Sequence, residues 1–381
     1  MKKKLRLNTT ILFNLAPIIL LFSIGLAKER SSQVIEFDNF INRSLNTSKI
    51  AGMGIAIISK DSVLYKKGYG YSDLKKKKKF TTNTIMNIAS ISKTFIGVSI
   101  MRLVENNQIN LDDNINNFLP FHIYNPHHPE SIITLRSLMS HTSGIIDNQG
   151  IYLSSYHYGN DSPIELGHFI ENYLSKNGEI YSENNFSNKD MGEEFIYSNI
   201  GAALAGHIVE IITGKPFNIF TKEIIFNPLG MSNTCWFLSE MNRADHAKIY
   251  KLDSKENKLN EIELYGLTTY PDGGLRTSVN DLAKYFLYFI KKNSSKEKKI
   301  ISDKKIIEMF SPDHFDYYSN FWNIGKTIGH GGGDPGVSTG MFYVKEDGIG
   351  YIFFINTSDY LKIDKLEETI INFGKYLKNL N

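Results

Sequence analysis

The sequence predicts an α/β chain of the α+β type, in which a mainly antiparallel sheet with flanking helices packs against an all-helical lobe. Two observations carry this. Runs with strand character lie near both ends, and the stretch between them is mostly helical. A sheet assembled from both ends leaves the middle as an inserted lobe, with any functional cleft between the two. The folded unit is expected over residues 34–381, with a sheet lobe from about 34–85 and 265–381 and a helical lobe from about 86–264.

Taken in order, the amino terminus comes first. Met1 to Arg6 is basic, and Ile11 to Leu26 is apolar apart from Asn14, Pro17, Ser23 and Gly25. Gly25-Leu26-Ala27 then offers small residues ahead of charged Lys28-Glu29-Arg30. Charged, apolar, small is the order of a secretory signal, here over residues 1–27. The alternative is an uncleaved membrane anchor. Against it stand Pro17 within the run and a length short of the roughly 20 residues that cross a bilayer. Either way the folded part is expected outside the cytoplasm, periplasmic or secreted, or held to the membrane by residues 11–26.

Gly52 to Ile58 and Val63 to Gly68 read as two strands joined by a Lys60-Asp61 turn. Lys75 to Lys79 is five lysines in a row, most simply a solvated hairpin end. Ile85 to Asn106 reads as a helix, because Ile88, Ile91, Phe95, Val98 and Leu103 recur at near-helical spacing. Leu138, Ile200 to Ile212 and Phe217 to Phe226 continue the helical middle, with Gly214-Lys215-Pro216 as a stop and restart. Asp281 to Lys291 is one more helix. Gly336 to Val344 and Gly348 to Ile355 are apolar, β-branched and aromatic, two buried strands joined at Lys345-Glu346-Asp347. Ile363 to Leu377 closes the chain as an amphipathic helix with Leu366, Ile370, Phe373 and Leu377 on one face.

Composition excludes several classes of function. With 41% apolar and 22% charged residues over 381 positions, the chain is neither wholly disordered nor a multi-span membrane protein. A single cysteine, Cys235, rules out an internal disulfide framework and a zinc site that needs two cysteines. Lys and Arg number 43 against 40 Asp and Glu, but without Lys2, Lys3, Lys4 and Arg6 the balance is 39 to 40. No global basic field remains, so nucleic acid is not an expected partner, and the membrane is one only through the amino-terminal segment.

Three clusters carry possible chemistry. In Ser90-Ile91-Ser92-Lys93, residues three apart share a helix face, so Lys93 can place its amine beside the Ser90 hydroxyl. A serine alcohol is a poor nucleophile until a neighbouring base takes its proton. The apolar surroundings of Lys93 favour its neutral, basic form. In Tyr197-Ser198-Asn199, the phenol is a useful base only if a nearby cation lowers its pKa, and Lys93 could supply that charge. Asn199 could hold the lysine by its carbonyl or a substrate by its amide. The third cluster, Gly329-His330-Gly331-Gly332-Gly333-Asp334-Pro335-Gly336, stands just before the first late strand. Backbone N–H groups free of side chains can stabilise an oxyanion there. The dinucleotide reading of Gly331-x-Gly333-x-x-Gly336 fails, because Pro335 and a strand follow where a helix must start.

Ser-x-x-Lys, Tyr-x-Asn and His-Gly-Gly in this order resemble the class C β-lactamase and DD-peptidase family of penicillin-recognising serine hydrolases. Leu138-Met139-Ser140-His141-Thr142-Ser143-Gly144, Asn227-Pro228-Leu229-Gly230-Met231 and Asp272-Gly273-Gly274-Leu275-Arg276-Thr277-Ser278 also match the family's habits. The resemblance covers the chain from about Val34 to its end. It implies the β-lactamase/transpeptidase-like fold, no cofactor and no metal. It further implies Ser90 as a nucleophile that forms an acyl-enzyme, and Lys93 and Tyr197 as proton shuttles. Asn199 would orient the lysine and the substrate amide, and the N–H groups of Ser90 and Gly333 would form an oxyanion hole. His330, Gly331 and Gly332 would line the substrate site, His330 setting electrostatics for a leaving group or carboxylate.

One departure matters. Many relatives carry Thr or Ser where this chain has Gly331, and that hydroxyl meets the substrate carboxylate. A site that cannot make this hydrogen bond discriminates poorly in favour of carboxylates. The expectation is therefore an exported hydrolase of small amides, esters or D-amino-acid peptides, with cell-wall peptides the leading substrate. The alternatives are a penicillin-binding or sensing protein without turnover and a true class C-type β-lactamase. Elsewhere, His127-His128 and His141 fall into no metal pattern, and His141 reads as a structural turn residue. Cys235 reads as buried and apolar, and Asp112-Asp113 as helix-to-loop punctuation.

Overall fold

The computed structural model describes residues 31–291, 300–363 and 365–380. The export signal expected over residues 1–27 lies outside them. Helix α1 spans residues 31–47. Strands β1 (Gly52–Ser59) and β2 (Val63–Asp73) form the first hairpin, and β3 (Lys78–Lys79) adds a short edge. The helix expected from Ile85 begins only with α2 (Ser92–Glu105), after a 3-10 turn at Ala89–Ile91. Ile85–Asn87 is instead a short strand, β4, because its backbone pairs with Arg276–Ser278 far along the chain.

The middle is mostly helical. It includes α3 (Leu135–Met139), closed at its start by a Thr134–Ser137 capping box. A short strand, β5 (Tyr156–Tyr158), precedes α4 (Asn199–Thr213), which ends at Gly214 with φ +64°. That left-handed residue is the helix stop that glycine supplies without a Cβ clash. After it come α5 (Phe217–Thr221), β6 (Tyr265–Leu267), which pairs with β5, and β7 (Arg276–Ser278), the partner of β4. Helix α6 spans Val279–Ile290, with Ser278 Oγ accepting from the Asp281 amide as its N-cap.

The carboxyl-terminal part supplies β8 (Tyr318–Ser319), β9 (Trp322–Asn323), β10 (Thr327–Asp334), β11 (Val337–Val344), β12 (Ile349–Ile355) and helix α7 (Leu366–Asn379). One antiparallel sheet runs β8-β9-β10-β11-β12-β1-β2-β3. Its centre joins the two ends of the chain, with Met53 opposite Ile355 and Ile57 opposite Tyr351. The glycine-rich cluster differs from expectation, since His330 to Asp334 lies inside β10 rather than before a strand. Glycines have little strand preference of their own. Pairing of Gly331 with Gly340 and Gly333 with Ser338 decides the matter.

Strand β1 is buried along its whole length, and its two faces serve different cores. Met53, Ile55 and Ile57 pack with Phe37 and Ile41 of α1 and with Ile370 and Phe373 of α7. Ala56 and Ile58 belong to the larger core that runs through α6 and the helical middle. Each such isoleucine contributes about 1.5–3 kcal/mol of apolar burial. The sheet is thereby fixed between layers, and its β10 edge is held against the Ala89–Ile91 turn.

Candidate active site

The Ser90 turn is built under constraint. Ala89 has φ +48°, a left-handed conformation unfavourable for alanine. Its N–H donates to Asn87 Oδ1 at 2.6 Å, and its carbonyl accepts from Ser92 Oγ at 2.6 Å. Ser92 Oγ in turn accepts from the Leu275 amide at 3.1 Å. These bonds hold the turn that carries Ser90 into the start of α2. Strand β10 packs across it so closely that Gly332 must lack a side chain. A Cβ there would lie 2.4 Å from both the Ile88 carbonyl oxygen and Thr339 Oγ1. A Cβ on Gly333 would meet nothing within 4 Å, so its main chain borders open space.

Lys93 is completely buried one turn beyond Ser90. Its Nζ donates to Ser90 Oγ at 3.1 Å, to Asn199 Oδ1 at 2.7 Å and to the Asp272 carbonyl at 2.8 Å. Three acceptors match the three N–H bonds of an ammonium. Burial pulls the lysine pKa down, but the charges of Tyr197 and then Asp272 more than reverse this, leaving it above the ordinary value. This corrects the expectation of a neutral amine: the surroundings are apolar along the sequence but anionic in space. The Tyr197 ring lies 5.0 Å from Nζ, and the residue is 38% exposed, at the mouth of the site.

Tyr197, Ser198 and Asn199 are placed by the amino end of α4. Ser198 Oγ caps the helix by accepting from the Gly201 amide at 2.9 Å. Asp147 holds the same segment from outside. It accepts from Ser198 Oγ at 2.9 Å, from the Asn199 amide at 2.8 Å and from the Ile200 amide at 3.0 Å. His141 supports the phenol, its ring 4.3 Å from that of Tyr197, while its Nδ1 accepts from the Ser198 amide at 3.2 Å. Burial keeps the His141 pKa well below the usual histidine range, so the imidazole is neutral.

His330 does not stand free in the cleft. It is 5% exposed, its Nδ1 lies 2.5 Å from the Gly331 carbonyl, and its Nε2 lies 3.1 Å from the Tyr318 hydroxyl. Burial lowers its pKa to about 4. A neutral ring with both nitrogens engaged has no charge to offer a carboxylate. Gly331 neighbours it without a side chain, so the structure brings Ser90, Lys93, Tyr197, Asn199 and Gly332 together but gives His330 a supporting place.

Sequence reasoning did not find Asp147, and it assigned no role to Asp272 or Asp334. Asp272 contributes its carbonyl to Lys93, and Tyr152 donates to its Oδ1 at 3.2 Å. Asp334 closes β10 and accepts from the Tyr156 hydroxyl at 2.6 Å. Asp272 and Asp334 lay within quoted motifs, and their burial was the missing signal. Asp147 has no local signature at all, because its partners are more than fifty positions away.

Known proteins bear on this arrangement. A family model described as Beta-lactamase matches residues 37–372. Penicillin-binding protein 4* of Bacillus subtilis (strain 168) is 30% identical over 329 residues, 81% of this chain and 66% of that protein. The octameric penicillin-binding protein homologue from Pyrococcus abyssi superposes with a TM-score of 0.71 at 27% identity, covering 91% of this chain and 77% of that one. D-amino acid amidase from Ochrobactrum anthropi SV3 shares the fold, with a TM-score of 0.71 at 19% identity over 91% of this chain and 99% of that one. The match runs through both cores and all three residue clusters, and on it the chain belongs to the beta-lactamase family, as a serine hydrolase with the β-lactamase/transpeptidase fold.

Proposed function

We propose that this protein is an exported hydrolase that works through an acyl-enzyme at Ser90 on small amides, esters or D-amino-acid peptides. The observation that carries the mechanism is the three-acceptor cage around Lys93. Lys93 donates to three acceptors there, as an ammonium does, so the base that takes the Ser90 proton is assigned to Tyr197, whose ring lies 5.0 Å from Nζ. Tyr197 then removes the Oγ proton as the bond from Oγ to the substrate carbonyl carbon forms. The negative charge that develops on the carbonyl oxygen is met by the N–H groups of Ser90 and Gly333. The proton passes from Tyr197 to the departing amine or alcohol. Water, deprotonated by the same phenol, attacks the acyl carbon, and that proton passes to Ser90 Oγ as the ester bond breaks.

The substrate class is supported by the neutral, carboxylate-poor side of the cleft at His330 and Gly331 and by the fold shared with a D-amino acid amidase. Export is supported by the order of residues 1–27 alone. An active-site fluorophosphonate probe tests the core of the reading. It should label the wild type and not Ser90→Ala, and the wild type should turn over a p-nitrophenyl ester. Tyr197→Phe should lower that turnover by about 10²–10⁴-fold. Labelling without turnover would make the protein a binder instead. Intact-mass measurement of protein recovered from the medium or cell envelope tests removal of the leader.

A further inference from the structure

One hydrogen bond ties the Ser90 turn to the strands beside it. Thr339, in the middle of β11, is buried, and its Oγ1 donates to the Ile88 carbonyl at 2.9 Å. The Gly332 carbonyl, across the register from Thr339, lies farther off at 3.4 Å. A hydroxyl carries one proton, so the shorter contact takes it. Among the described residues no other hydrogen bond joins residues 88–91 to β10 or β11. Ile88 is held by its other main-chain group too, its N–H donating to the Leu275 carbonyl at 2.9 Å. The one further donor to its carbonyl is the Ile91 amide, a long contact at 3.4 Å.

This bond sits between the two groups assigned to the oxyanion. Ile88 precedes Ser90 by two residues, and Gly332 adjoins Gly333. Turn and strand meet main chain to main chain, since a Cβ on Gly332 would lie 2.4 Å from the Ile88 oxygen and from Thr339 Oγ1, and 3.1 Å from Ala89 Cβ. Ala89, at φ +48°, makes this a strained turn that relaxes if released. A methyl in place of the Thr339 hydroxyl would stand about 3.3–3.6 Å from the carbonyl oxygen instead of 2.9 Å. The strands would then move off the turn by about half an ångström. Donors serve an oxyanion only within about 2.7–3.1 Å, a window narrower than that shift.

We infer that Thr339 is a positioning residue whose hydroxyl sets the width of the oxyanion hole, by holding the Ser90 turn and the Gly333 strand at one separation. The inference rests on the acyl-enzyme reading of Ser90 and adds to it a residue outside the three clusters. Thr339 acts through main chain alone. It bonds to none of Ser90, Lys93 and Tyr197, and at 4% exposure it has no face for a substrate. A hydroxyl that merely filled a buried hydrogen bond would change stability and leave the chemistry alone. One that sets the hole changes how strongly charge on the carbonyl oxygen is met.

The test compares p-nitrophenyl acetate with its thiono analogue, in which sulfur replaces the carbonyl oxygen. Sulfur is larger and a weaker acceptor, so the thiono ester draws little from the hole, and the wild type should prefer the oxygen ester in kcat/KM. In Thr339→Val, which keeps shape and loses the hydroxyl, the oxygen ester should slow by tenfold or more, toward the 10²–10³ that a whole donor is worth. The thiono ester should change little, so the ratio falls. Thr339→Ser keeps the hydroxyl and should stay within about threefold of wild type. Should the valine not be accommodated, Thr339→Ala adds no atom and is read in the same way. Both esters slowed alike, or a lower urea midpoint with the ratio intact, would make Thr339 structural only and overturn the inference. So would a ratio lost equally in Thr339→Ser. The fluorophosphonate probe separates the two levels: Ser90 labelled with the ratio unmoved sinks the inference alone, whereas an unlabelled Ser90 removes the hydrolase reading and the inference with it.

Discussion

Gly331 stands where the family resemblance implies a hydroxyl facing a substrate carboxylate. A Cβ there would lie 3.6 Å from Phe342 Cζ and 3.9 Å from the Thr339 carbonyl oxygen, both ordinary contacts. A side chain therefore fits, unlike at Gly332, where the Ser90 turn leaves no space. Gly331→Thr should raise turnover of a chromogenic cephalosporin, relative to an uncharged p-nitrophenyl ester, by about 10–100-fold. That is the worth of one hydrogen bond to a charged group, roughly 1.5–3 kcal/mol. The two initial rates measured side by side decide it, and an unaltered ratio would clear the missing hydroxyl of responsibility. At this scale the sequence was informative about position and poor about state. Helical spacing put Lys93 beside Ser90, as the 3.1 Å contact shows. Its raised pKa comes, against burial, from Tyr197 and then Asp272, distant in sequence, which no local pattern announces.

Elements position these residues, and α4 does so with outside help. The first N–H groups of a helix have no partner within it. Here the Asp147 carboxylate takes those of Asn199 and Ile200 and the Ser198 hydroxyl as well. Removing it leaves these donors unmet at the end of the helix that aims Asn199 at Lys93. Asp147→Ala should destabilise the fold by about 1–3 kcal/mol and lower kcat for the p-nitrophenyl ester more than it raises KM, because Asn199 acts on the reacting groups through Lys93. A loss confined to the urea midpoint, with kcat intact, would make Asp147 a cap and nothing more. Elements with their own local signal were legible: β1, β2, β11, β12 and α7 fall near where turn-bounded apolar runs or helical spacing put them. Phe37, Ile41 and Leu45 of α1 are also spaced for one helix face, a signal present but short. Ile85–Asn87 and the glycines of β10 were not legible, since distant partners make them strands.

The whole molecule holds neutral histidines and raised carboxyls in one interior, and their effects on stability oppose each other. Burial lowers His330 to about 4 and His246 to about 3, and takes His141 well below its usual range. Each binds protons more weakly folded than unfolded, so its stabilisation is complete above about pH 6.5 and is lost as pH falls. Asp272 and Asp334 are raised to about 7 and about 6, and they bind protons more tightly when folded. Their contribution is complete below about pH 4 and is lost as pH climbs through those values. Between pH 5 and 7 up to three histidine protons per molecule work against two carboxyl protons. The net slope is a stability gain of about 1 kcal/mol per pH unit, levelling off above pH 7. Replacing both carboxyls, as Asp272→Asn with Asp334→Asn, leaves the histidines unopposed and should about double that slope or more. Urea denaturation at pH 5, 6 and 7 measures it. If wild type and double variant lose stability in parallel on acidification, the two carboxyls titrate as ordinary exposed acids, and the buried charge invoked beside Lys93 is absent.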